Sequence, residues 1–63
     1  MRIHLLIAGK KGKERVVGQF YLAARLEAAK KFLERPQVVE VEADDRGHVS
    51  LAEWARVVKQ FGL

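Results

Sequence analysis

The sequence predicts an α+β fold, a two-layer sandwich in which a three-stranded antiparallel sheet of order 2-1-3 carries two helices on one face. Three observations predict it. Ser50 to Gly62, SLAEWARVVKQFG, has a helix start signal, a periodic apolar face and a stop signal. Three stretches of strand length, Arg2–Ala8, Arg15–Tyr21 and Gln37–Ala43, are rich in apolar and β-branched residues. Between the second and third, Leu22, Leu26, Ala29 and Leu33 recur at helical spacing. The order is therefore strand, strand, helix, strand, a stub strand and helix, in one domain spanning 1–63.

Arg2–Ala8 places Ile3, Leu5 and Ile7 on one side and Arg2, His4, Leu6 and Ala8 on the other. Apolar atoms on both sides suit a central strand. Gly9-Lys10-Lys11-Gly12-Lys13 is a turn, with two glycines for positive φ and three lysines in water. In Arg15–Tyr21, strict alternation puts Val16 and Phe20 around Gly18 on the inner face and Val17, Gln19 and Tyr21 outward. A rival reading extends the following helix back to Glu14, but Gly18 and the β-branched pair Val16–Val17 disfavour it.

The first helix has no Ser, Thr or Asp to open it, carries Phe32 beside its apolar stripe, and must end before Pro36. Val39, Val41 and Ala43 then alternate with Val38, Glu40 and Glu42. Asp44-Asp45-Arg46-Gly47 is a turn whose aspartates can accept from nearby N–H groups, with Gly47 in the left-handed position. His48–Val49 forms the stub strand. Ser50 and Glu53 read as a capping box, and Leu51, Trp54, Val58 and Phe61 as the core stripe of the second helix. Gly62 closes that helix. A right-handed crossover through the first helix sets the third strand beside the first.

With 63 residues and no cysteine, the chain has one small core and no disulfide to support it. A marginal monomer and a homodimer both satisfy that constraint. The apolar run at the N-terminus is too short for a signal peptide or a spanning helix, which implies a cytoplasmic protein with no membrane partner. Charge is unevenly placed. Residues 1–35 hold nine Lys or Arg against three Glu, whereas residues 36–63 hold three against five acids. An anionic partner would meet the first half.

Catalytic and metal chemistry find no constellation in the sequence. GKKGKER lacks the spacing and the Ser/Thr of a phosphate-binding P-loop. His4 and His48 are the only histidines, without a ligand spacing around them. Ser50 is explained by capping, and Glu40 with Glu42 by a surface ladder opposite Arg2 or Arg15. The expectation is a non-enzymatic module with no cofactor, no metal and no small-molecule substrate. It would act by docking onto a protein or onto itself, as an inhibitor or accessory subunit of a nucleic-acid-handling complex in the most specific form. Leu6, Val17, Tyr21 and Val38 are the candidate docking residues, on a sheet face expected to be uncovered. The alternative is a nucleic-acid-binding domain using the hairpin residues Lys10, Lys11, Lys13 and Arg15.

Val49–Leu63, VSLAEWARVVKQFGL, resembles the opening helix of helix-turn-helix regulators, where a Ser or Thr cap precedes Leu-x-Glu-Trp/Phe-Ala. The resemblance covers about a quarter of the chain. Such regulators are expected to place a recognition helix after this one, and these 63 residues hold none, so no function is carried over from the resemblance.

Overall fold

A computed structural model describes residues 1–63. The elements are β1 (Arg2–Ala8), β2 (Arg15–Phe20), α1 (Ala23–Lys30), β3 (Gln37–Glu42) and α2 (Leu51–Phe61). The strands form one antiparallel sheet of order β2-β1-β3, as the sequence predicts, and the segment from Glu14 to Tyr21 is not helical. The stub strand is present as a single bridge between Ala43 and Val49.

The main core joins Ile3, Leu5 and Ile7 of β1 to Val39, Val41 and Ala43, with Val57 of α2 above them. Val16, Val49, Trp54 and Phe61 pack around this set. The facing of α2 differs from the expected stripe. Val57 is fully buried, Trp54 and Phe61 are half-buried, while Leu51 and Val58 are exposed. The helix is rotated so that the line Trp54, Val57, Phe61 meets the sheet.

Placement of α1 also differs from the expectation of two helices on one face. Leu6 and Ala8 point away from Ile3, Leu5 and Ile7, yet they are only 1% and 4% exposed. A central-strand leucine on an open sheet face would be wet. The helix that packs against β1 and β2 is α1, and its one buried residue, Leu26, lies outside the main core. The two-layer arrangement therefore holds for α2 and its side of the sheet, whereas α1 covers the other side. The dimensions agree, 30 × 27 × 12 Å, since three strands at about 4.8 Å spacing account for a short axis near 10 Å.

A β-bulge rephases β2. Leu6 pairs with Gly18 and Ile7 with Val16, so Val17 is the extra residue. Val16 stays on the main core side, but Gly18 and Phe20 move to the side of Leu6, not the inner face that strict alternation gives them. An added Cβ at Gly18 would stand 2.8 Å from the Phe20 ring, which shows how closely that ring lies over the glycine.

Loops follow their local chemistry. Asp44 Oδ1 accepts from the N–H groups of Arg46 and His48 at 2.8 and 2.9 Å, and Gly47 takes φ 81°. At α2, Ser50 Oγ accepts from the Glu53 N–H at 3.2 Å, and Gly62 caps the other end with φ 71°. The capping box is only half closed, because the Glu53 side chain turns to the sheet instead. Helix α1 ends at Lys30, short of Pro36, and the chain leaves it through tight turns from Phe32 N–H to Ala29 and Leu33 N–H to Lys30. Arg35, before Pro36, adopts φ 51°, a left-handed conformation that costs a non-glycine residue about 1–3 kcal/mol.

Candidate functional site

The candidate docking residues are not assembled as one open patch. Leu6 is buried, so it cannot anchor a partner. Val38 pairs beside it and is half-buried. Val17, on the bulge, is 40% exposed. Tyr21 is half exposed, and its hydroxyl lies against Gly47, so the ring bridges the end of β2 to the turn before α2. The rest of that face is a charged ladder. Arg2 pairs with Glu40 and Glu42 at 3.5 and 3.3 Å, and His4 Nδ1 lies 3.8 Å from Glu40.

Two other surfaces present themselves. The first is the outer side of α2. Leu51, Ala55 and Val58 stand at successive helical turns, all exposed, with Ala52 beside them. Their exposure follows from the rotation that buries Val57. Glu53 and Arg56 fix that rotation. Glu53 Oε2 accepts the backbone N–H of Glu42 at 3.0 Å, Arg56 donates to both Glu53 oxygens, and Arg56 Nη2 reaches the Glu40 carbonyl at 3.1 Å. Alternate peptide groups of an edge strand point away from the sheet, and at Glu40 and Glu42 of β3 these helix side chains occupy them.

The second surface is a cleft of about 150 Å³ between the β1–β2 hairpin and the loop after α1. Ala8, Gly9, Arg15 and Val17 line it from the hairpin, and Phe32, Leu33 and Glu34 from the loop. The Gly9 N–H donates to the Glu34 carbonyl at 3.2 Å and ties the two walls together. Gly9 itself must be glycine, because at φ 133° an added Cβ would sit 2.7 Å from the Lys13 carbonyl oxygen. Phe32 is 88% exposed at the rim.

The cations of the two segments that form the cleft have no protein partners. Lys10, Lys11, Lys13 and Arg15 on the hairpin, with Lys31 and Arg35 flanking the loop, take part in none of the ion pairs or side-chain hydrogen bonds of the molecule. Ion pairing is concentrated along β3 and α2 instead. Two carboxyls are held below the usual range: Asp44 chiefly by the His48 N–H, and Glu53 chiefly by the Arg56 side chain and then the Glu42 N–H.

Sequence reasoning found the hairpin cations but missed Phe32, which the helical stripe drew into α1. No group of three His, Asp or Glu comes together in a metal-binding set. No helix is long and apolar enough to cross a membrane. Compared with models of protein families, with characterised proteins and with solved structures, the chain shows no match.

Proposed function

We propose that the chain is a small docking module that binds a protein surface, or a second copy of itself, through the outer face of α2. One observation carries the reading: Leu51, Ala55 and Val58 form a continuous exposed apolar strip, with Leu51 88% exposed. A lone exposed leucine means little, but an i, i+4, i+7 row on a helix is the geometry with which helices meet grooves or one another. The strip is also rigidly presented, because Glu53 and Arg56 pin the opposite side of α2 to β3. This replaces the sheet face as the docking surface, since Leu6 there is covered.

The test is sedimentation equilibrium of the wild type and of Leu51→Ser and Val58→Ser variants, with capture of binding proteins by the same three chains. Both substitutions should leave the melting curve in place, because neither side chain is in the core. Loss of self-association or of a captured protein in both variants supports the reading. Unchanged association and capture in both would overturn it.

A further inference from the structure

The cleft between the hairpin and the loop after α1 is a second surface, of different chemistry. Its lining is mostly apolar, through Ala8, Val17, Leu33 and the exposed Phe32, and Arg15 shares it. The hairpin and loop that form it carry six unpaired cations, Arg15 among the lining, against two carboxylates, Glu14 and Glu34. A ligand that satisfies both features must be anionic along its length and present a flat apolar group to the cleft.

We propose that this cleft binds single-stranded nucleic acid, one base stacking on Phe32 while Lys10, Lys11, Lys13 and Arg15 hold the neighbouring phosphates. Every base offers a π face, so a single aromatic platform in a basic groove binds single strands with little sequence preference. Arg15 supplies a planar cation that contacts a base edge or a phosphate equally well. The hairpin lysines suit phosphates because they are point charges on a tight turn, the Lys13 N–H donating to the Lys10 carbonyl at 2.8 Å. A duplex keeps its bases stacked inside, out of reach of one phenyl ring at the rim of a cleft. An acidic protein segment would use the same cations, but its carboxylate side chains offer no ring face to Phe32.

Binding is measured by fluorescence anisotropy of labelled oligothymidylate and oligouridylate, as single strands and as annealed duplexes, over a range of salt. Single strands should bind more tightly than duplexes. Phe32→Ala should weaken single-strand binding about tenfold, within the range for one stacked base, with no change in melting temperature. The triple change Lys10→Ala, Lys11→Ala, Lys13→Ala should reduce the slope of log affinity against log salt by about two, at roughly 0.7 per phosphate contact. Leu51→Ser on the far helix should leave all of these values alone, so failure here and failure of α2 docking are read separately. Equal binding of duplex, a silent Phe32→Ala, displacement by polyglutamate at the same charge concentration, or no binding at low salt would each overturn the proposal.

Discussion

Glu53 accepts the backbone N–H of Glu42 at 3.0 Å, a contact from the first turn of α2 to the outer edge of β3. The same carboxylate grips Arg56, whose guanidinium continues to the Glu40 carbonyl. Two side chains thus stand where a neighbouring strand would bond, and they orient the helix as they do so.

Stability should depend on pH through this contact. The Glu53 carboxyl titrates below its ordinary range, with Arg56 the larger cause and the Glu42 N–H the second. A carboxyl whose folded pKa lies below its unfolded one stabilises the fold fully above the unfolded value and loses that contribution as pH falls through the folded value. Wild-type melting temperature should therefore drop on acidification below the usual glutamate range. Glu53→Gln should start lower at neutral pH and decline less steeply. Asp44 contributes to both curves in the same direction, so the difference between them is the measurement. Parallel curves would show that Glu53 does not fasten the edge.

Ser50→Ala should cost about 1 kcal/mol, the usual value for a lost N-cap, because Ser50 Oγ alone takes the Glu53 N–H. The Glu53 side chain does not return to Ser50, so the substitution should be nearly additive with Glu53→Gln. Urea midpoints of the two single variants and the double variant check this.

Leu6→Ala should cost about 2–5 kcal/mol, as for other buried leucines. That is comparable with the whole stability of a chain this size, roughly 3–9 kcal/mol at 0.05–0.15 kcal/mol per residue. Circular dichroism should find the variant unfolded or melting far lower. A wild-type melt would mean that α1 leaves this side of the sheet open.

Gly47 and Gly12 make a matched pair. Both hold positive φ, 81° and 83°, but an added Cβ meets nothing at Gly12, whereas at Gly47 it meets the Tyr21 hydroxyl. Gly12→Ala should cost about 1–2 kcal/mol for the left-handed conformation alone. Gly47→Ala should cost more, and Tyr21→Phe should relieve the excess. Thermal melts of the double-mutant cycle would show a coupling between 21 and 47, and additive effects would remove the contact.

What could be read from the sequence follows from how local each cause is. The Ser50 and Gly62 caps and the Asp44 turn are satisfied by neighbours within four residues, and all three form where the sequence places them, although the Glu53 side chain does not close the box at Ser50. The rotation of α2 was hidden because both stripes share Trp54 and Phe61. The choice between them rests on the bond from Glu53 to Glu42, eleven residues away. Placement of α1 did have a signal, since Leu6 and Ala8 leave β1 apolar on both sides. The bulge at Val17 had a weaker one in Gly18. At the cleft, the lysines are visible as charge, but Phe32 shares a lining with Arg15 across two loops that the Gly9–Glu34 hydrogen bond ties together. That pairing depends on tertiary closure and has no sequence pattern.

Val17 is, in effect, a one-residue insertion carried within a strand. Excising it would leave Val16 opposite Ile7 and Gly18 opposite Leu6, so no side chain would have to change sides. The shortened strand would instead lose its local kink and present a straighter, flatter rim of free peptide groups. Bulges are among the devices that keep such rims from recruiting other chains. The edge at β3 is guarded by Glu53 and Arg56, whereas the edge at β2 is guarded by its own irregularity. A deletion that preserves every facing would therefore open this edge to other chains before it cost the molecule its fold.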